Sequence, residues 1–204
     1  MGTFRVNDIF YSLQGEGRNT GRAAVFVRFA GCNLRCPFCD TEFDSFQTMT
    51  DADIIEAVTT FPARFVVLTG GEPTLQVDEP LVDLLHRHGF EVAMESNGTR
   101  PAPSNLDWLT VSPKTGALKG DTLKENGKKL PDEVKIVFEE HTDPEELFAR
   151  LFPSPSPTPL KYLQPCDTGD EARNKRIVAD CVDYITQHPE WRLSLQTHKL
   201  IDIK

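Results

Sequence analysis

Short apolar runs alternate along this chain with stretches patterned as helices, and that alternation restricts the fold more than any other feature. AVFVRFA (24–30), FVVLTG (65–70), FEVAMES (90–96), WLTVS (108–112), EVKIVF (133–138), LKYLQ (160–164) and LSLQT (193–197) are rich in Val, Ile and Phe and predict strands. Several are apolar on both faces, as parallel strands covered by helices are. Between them DADIIEAVTT (51–60) opens with Asp51 at an N-cap position. DEPLVDLLHRH (78–88) has Pro80 in its first turn and Gly89 just past its end. DPEELFARL (143–151) and a stretch from about 170 to 187 complete the helices. The order predicts an α/β fold with a parallel sheet and right-handed crossovers.

The polar residues fall at one place in this pattern. A cysteine loop follows the first run, TGGEP (69–73) the second, ESNGT (95–99) the third and SPK (112–114) the fourth; QP (164–165) and QTHK (196–199) follow the last two. In βα barrels the active site gathers at the C-terminal ends of the strands. Fewer than eight strand–helix units predict an incomplete, splayed barrel with one open side. The 204 residues suit one domain spanning 1–204.

The cysteine loop, GCNLRCPFCDT, spaces Cys32, Cys36 and Cys39 as C-x3-C-x2-C with no fourth cysteine nearby. A closed structural zinc site takes four N or S ligands and a fully protein-held cubane takes four thiolates. Three thiolates therefore leave one iron of a [4Fe–4S] cluster open, and an open position marks a metal site that does chemistry. Cys166 and Cys181 remain and read as free thiols, since a chain of cytosolic character uses cysteine for metal or redox chemistry.

Composition narrows the partners. The net charge of −9 and the lack of a basic tail argue against nucleic acid, which needs a basic face. The basic concentration Lys124 to Lys129 is broken by Glu125 and reads as a solvated loop. No apolar stretch reaches the roughly 18 residues of a membrane helix, and the N-terminus carries no secretory pattern. The expectation is a cytoplasmic protein acting on a small molecule. PSPSPTP (153–159) reads as a stiff surface connector, with a docking segment as the competing reading.

Single residues carry paired readings. Gly70 and Gly71 let backbone groups approach a ligand closely, or simply make a turn. Phe38 is either an aromatic platform or core. In YSLQGEG (11–17), Gln14 and Glu16 suit a flat polar heterocycle, while the glycines also fit a turn closing an N-terminal hairpin. Arg28 lies mid-strand among apolar residues, where a charge is costly unless paired. Its fork matches a carboxylate ligand, and an internal salt bridge is the competitor.

With YSLQGEG, VRFAGCNLRCPFCDT, TGGEP, ESNGT, SPK, YLQP and SLQTHK in this order, the chain resembles the 7-carboxy-7-deazaguanine synthases of the radical S-adenosylmethionine superfamily. The resemblance runs from about residue 5 onward. It implies an abbreviated (β/α) barrel with shortened helices, acting as a homodimer with S-adenosylmethionine, magnesium and a [4Fe–4S] cluster on Cys32, Cys36 and Cys39. The implied reaction converts 6-carboxy-5,6,7,8-tetrahydropterin to 7-carboxy-7-deazaguanine with loss of ammonia, toward queuosine and other 7-deazapurines. A 5′-deoxyadenosyl radical takes hydrogen from the pterin and later returns it. A flavodoxin- or ferredoxin-type reductant is expected.

Residue by residue, the resemblance places Phe38, Cys39, Asp40, Gly71, Ser112, Pro113, Lys114 and Gln164 on the cofactor. It places Leu13, Gln14, Gly15, Glu16, Arg28 and Thr69 on the substrate, with Arg28 on the carboxylate. Thr41 supplies a hydroxyl to magnesium, while His198 and the terminal carboxylate of Lys204 close over the substrate. Two rivals lack support for part of the pattern. An enzyme that installs a glycyl radical on a partner protein has no use for QGEG or Arg28. A zinc-binding module with Asp40 or a distant His as fourth ligand leaves the strand-end signatures unexplained.

Overall fold

The computed structural model describes residues 2–39, 41–42, 44–114, 129–152 and 158–204. Asp40, most of the basic stretch 124–129 and most of the proline-rich connector lie outside the described residues.

Among the described residues nine strands form one open sheet: β1 (Thr3–Leu13), β2 (Ala23–Phe29), β3 (Gln47–Thr50), β4 (Phe65–Gly70), β5 (Glu91–Ser96), β6 (Trp108–Val111), β7 (Glu133–Phe138), β8 (Leu160–Pro165) and β9 (Trp191–Leu193). The order is β3-β1-β2-β4-β5-β6-β7-β8-β9. From β2 to β9 every neighbouring pair is parallel, as the apolar runs predict. β1 and β3 add an antiparallel edge. The sheet does not close, since β3 and β9 are its two edges, which matches an incomplete barrel.

The helices are α1 (Asp51–Thr59), α2 (Glu79–Arg87), α3 (Pro144–Leu151), α4 (Glu171–Gln187) and α5 (Thr197–Leu200), and the first four start at side-chain caps. Asp78, Asp143 and Asp170 each accept a backbone N–H three residues on, at 3.2, 2.9 and 2.9 Å. At α1 the cap is Thr50 rather than Asp51. Thr50 and Asp53 form a reciprocal capping box, so Asp51 is the first helical residue.

Alternation along the strands sorts side chains onto two faces. Val25, Val27, Phe29, Val66, Leu68, Val92, Met94, Leu109 and Val111 point to one face and pack under α1 and α2 with Ile54, Val58, Leu81 and Leu85. Val134, Ile136, Phe138 and Leu163 continue that layer beside Phe148, Ile177 and Trp191 of α3, α4 and β9. On the opposite face Phe10, Ala24, Phe26, Phe65, Val67 and Ala93 form a small apolar plug. Beyond the plug, at the strands' C-terminal ends, the same face turns polar.

Three sequence expectations are corrected here. β1 and β3 lie in segments not read as strands. The last strand is Trp191–Leu193 rather than 193–197, and residues 197–200 are helical. Burial of Trp191 among Ile136, Leu163, Phe148 and Ile177 anchors that shorter register.

Candidate active site

A cavity of about 550 Å³ opens at the C-terminal ends of the parallel strands. Successive strands each send one residue of the polar face into it: Arg28 from β2, Thr69 from β4, Glu95 from β5, Lys135 from β7 and Gln164 from β8. Ser112 and Lys114 join from the loop after β6. The cysteine loop brings Cys32, Cys36, Phe38, Cys39 and Thr41, and the β1–β2 connection brings Leu13, Gln14, Gly15 and Glu16. Gly71, His198 and Lys204 complete the predicted set in the wall. Pro113 is buried but does not line the cavity, and Asp40 lies outside the described residues.

The cysteine loop is clasped by two neighbouring signatures. Gly71 N–H donates to Phe29 O at 3.0 Å and Glu72 N–H to Gly31 O at 2.9 Å, so TGGEP lies flat on the entry to the loop. A Cβ on Gly71 would stand 2.1 Å from Gly31 O, and one on Gly70, at φ +131°, would stand 2.1 Å from Phe29 O. The two glycines thus serve the chain's own backbone contact. Asn97 Nδ2 donates to Asn33 Oδ1 at 3.0 Å, and Asn33 Nδ2 to Thr99 Oγ1 at 2.7 Å, which pins the loop between Cys32 and Cys36. Glu72, fully buried, accepts from Thr74, Ser96 Oγ and Asn97 N–H and so leaves no unsatisfied charge.

All three thiols face one cavity, with no fourth thiol in the loop. Burial pushes the Cys36 thiol up; Lys114 pulls it down, and Cys39 and Cys32 push it up as neighbouring anions. Among the described residues no three His, Cys, Asp or Glu side chains converge as a single-ion site would need. Spaced thiolates sharing one cavity fit a multi-iron cluster, and a cation there would relieve their mutual repulsion. Phe38 packs partly against the α3–α4 core while lining the cavity, with Lys114 Nζ 5.7 Å from its ring centroid. Phe38 thus joins the core and faces the cavity at once.

Arg28 lines the cavity wall. Among the described residues it forms no ion pair, and its guanidinium lies 5.2 Å from the Phe10 centroid. A charge held beside an aromatic face, in a cavity wall, is available to an anion. The QGEG turn does close the β1–β2 hairpin, with Gln14 N–H donating to Arg22 O and Gly21 N–H to Gln14 O. It also faces the cavity. Gly15 is needed because His198 packs against it: an added Cβ would meet Nδ1 at 2.2 Å.

Glu95, Lys135 and Gln196 share the cavity with Glu16; sequence reasoning missed Lys135 and gave Glu95 and Gln196, inside the ESNGT and QTHK signatures, no role of their own. Lys135 is buried and donates to Glu16 and, at 3.1 Å, to Glu95. Burial pushes the Glu16 carboxyl up, but Lys135, Gln196 and His198 outweigh it and hold it below its ordinary value. Burial lowers Lys135, but Glu16 and Glu95 outweigh it and raise its affinity for the proton. One signal was available: charged residues on alternate positions of β5 and β7 belong to a single face.

An open parallel sheet with a three-thiol loop at its C-terminal edge defines the radical S-adenosylmethionine class, and the superfamily model (Radical SAM superfamily) matches residues 26–140. A protein from Bacteroides thetaiotaomicron named 7-carboxy-7-deazaguanine synthase is 48% identical over 98% of both chains. One of the same name from Bradyrhizobium diazoefficiens is 42% identical over 99% of this chain and all of that one. The crystal structure of QueE from Escherichia coli superposes with a TM-score of 0.77, at 28% identity over 95% of this chain and 93% of that one. This chain belongs to the 7-carboxy-7-deazaguanine synthase family.

Proposed function

We propose that the protein is a carbon–nitrogen lyase that converts 6-carboxy-5,6,7,8-tetrahydropterin to 7-carboxy-7-deazaguanine with release of ammonia, a step in 7-deazapurine and queuosine biosynthesis. One observation carries the reading: the three-thiol loop and the Arg28 guanidinium, which has no ion pair among the described residues, open into the same cavity, whose volume of about 550 Å³ is that of a ligand site. The family resemblance to the synthases supplies the reaction.

Cys32, Cys36 and Cys39 would hold the [4Fe–4S] cluster, and with S-adenosylmethionine it supplies the 5′-deoxyadenosyl radical that abstracts hydrogen from the substrate. The chain's own residues do the placing. Phe38, Gly71, Ser112, Lys114 and Gln164 line the cofactor's side. Arg28 takes the substrate carboxylate as a bidentate partner. Leu13, Gln14, Gly15, Glu16 and Thr69 meet the ring, with Gln14 and Glu16 offering an amide and a carboxylate to its donors and acceptors. Thr41 gives a hard oxygen to magnesium, which retains much of its water. His198 and the C-terminal segment cover the opening. Dimerisation, a flavodoxin- or ferredoxin-type reductant and a cytoplasmic location belong to the same proposal. Among the described residues no helix is long and apolar enough to cross a membrane.

The test is one anaerobic assay of reconstituted protein with S-adenosylmethionine, dithionite, magnesium and 6-carboxytetrahydropterin, read by mass spectrometry. Many turnovers to 7-carboxy-7-deazaguanine without matching 5′-deoxyadenosine support the proposal. Formation of 5′-deoxyadenosine with the pterin untouched removes the substrate and keeps the class.

A further inference from the structure

Three segments far apart in sequence meet at one point of the cavity wall. Gln14 and Glu16 come from the β1–β2 connection, Gln164 from the end of β8, and Gln196 from the residue before α5. Gln164 Nε2 and Gln196 Nε2 both donate to Glu16 Oε1, at 3.3 and 3.1 Å. Gln14 Nε2 donates to Glu95 Oε1 at 2.8 Å, while its Oε1 accepts from Glu16 N–H at 3.1 Å. Each amide is thus aimed by a carboxylate, and the two carboxylates share one cation. That cation is Lys135, whose side chain is 3% exposed.

Charge makes this arrangement directional. Glu16 and Glu95 are both drawn to the Lys135 ammonium, and without it they would be two half-buried like charges sharing one site. Like charges in a low-dielectric site separate or take up a proton. Either response at Glu95 loosens Gln14, whose Nε2 donates to that carboxylate, while its Oε1 stays on the Glu16 backbone N–H and its second N–H faces the cavity. His198 also acts on Glu16 from the cavity rim, and Lys114 lies nearby, but Lys114 donates to Ser112 Oγ at 2.8 Å and leans toward Phe38. It does not replace Lys135.

We propose that Lys135 is a positioning residue for substrate recognition: its enclosed ammonium holds the Glu16 and Glu95 carboxylates together, so that Glu16 stays in place for the substrate ring and Glu95 sets Gln14 against it. This inference rests on the reaction proposed above and goes beyond it, because Lys135 acts through Glu16 rather than on the cofactor. Two signatures separate it from a merely structural lysine. Its loss weakens the pterin far more than S-adenosylmethionine, whose side of the cavity meets this network only through the 3.3 Å contact of Gln164, and the loss disappears when Glu16 can no longer carry charge.

The experiment compares wild type, Lys135→Met, Glu16→Gln and the double variant, each anaerobically loaded with cluster. KM is measured separately for 6-carboxytetrahydropterin and for S-adenosylmethionine, alongside iron content and visible absorbance. Removing a charged hydrogen-bond partner predicts a rise of about tenfold or more in pterin KM for Lys135→Met, with S-adenosylmethionine KM within about twofold. In the Glu16→Gln background the same replacement should add less than about twofold, since residues acting as a unit are not additive. An unchanged pterin KM, parallel rises for both ligands, or losses that multiply in the double variant would each overturn the proposal. If Lys135→Met does not fold, Lys135→Arg keeps the cation with altered reach, and its effect on pterin KM must likewise vanish on Glu16→Gln. Wild-type enzyme that makes no 7-carboxy-7-deazaguanine sinks the reaction itself, and this inference with it. Normal wild-type turnover with indifferent Lys135 variants sinks the inference alone.

Discussion

Replacing Glu133 with Gln should stabilise the protein in alkali and leave it nearly unchanged in acid. Glu133 is 1% exposed at the inner base of β7, and its carboxylate accepts the Arg18 N–H at 2.9 Å. Burial pushes its carboxyl up to about 7, above the ordinary 4.5; the Arg18 hydrogen bond and Lys135 oppose this, while Glu95 and Glu16 add to it. The folded protein therefore keeps this proton up to about pH 7, whereas the unfolded chain loses it near 4.5. Between those values the native state binds more protons, so this group's contribution to stability falls as pH rises. The whole displacement corresponds to about 3 kcal/mol, at 1.36 kcal/mol for each tenfold change in proton affinity. Readjustment of Lys135, Glu16 and Glu95 trims the part lost between pH 5 and 8.5 to about 2 kcal/mol. Glutamine keeps an acceptor for Arg18 and carries no titratable proton, and any loss from its weaker hydrogen bond is the same at every pH. Urea unfolding of both proteins at pH 5, 7 and 8.5 reads the difference. The variant's advantage should grow by about 2 kcal/mol from pH 5 to 8.5. A difference independent of pH would refute the reasoning, since it would mean that Lys135 already holds Glu133 ionised in the folded state.

Arg28→Ala should leave cluster assembly and S-adenosylmethionine binding intact and raise the pterin KM by about a hundredfold, the loss of a charged bidentate contact; normal kinetics would remove Arg28 from the carboxylate. Thr41→Ala should weaken the dependence of turnover on magnesium, and an unchanged metal titration would count against it as a ligand. In Gly15→Ala the new methyl carbon would fall 2.2 Å from His198 Nδ1. That should displace the C-terminal segment and lower turnover while sparing cluster content; full activity would show that the segment's seating is dispensable.

Much of the fold was legible because its signals are local. Asp78, Asp143 and Asp170 cap their helices with their own side chains, so three starts could be read from sequence. The parallel strands announced themselves by apolarity on both faces, since each is covered on one side by helices. The strands that escaped were those whose pairing is not local. β1 mixes polar and apolar residues because it is antiparallel and partly exposed, and β3 is four residues recruited by β1. At the C-terminal end LSLQT has the composition of a strand. Ser194 N–H makes the last ladder bond, to Leu163 O, and the chain then turns so that Thr197 caps onto Gly15 O.

The candidate site divides in the same way. The sequence alone determined its chemistry: three closely spaced thiols, two glycines before a glutamate, and an arginine too costly for its strand unless a ligand or an internal carboxylate pairs with it. Spacing in a loop is a local property and survives without knowledge of the fold. Tertiary structure alone decided which charges the site actually contains. Glu95, Glu133 and Lys135 stand in strands that read as core, because a strand's alternation names two faces without saying which one a cavity will use. Curling the sheet brings β5 and β7 against the β1–β2 connection, and only then do Lys135, Glu16 and Glu95 become neighbours across up to 119 positions of sequence. An ion pair between residues so far apart leaves no periodicity to read. It exists because burial made an unpaired charge too costly at each of its ends.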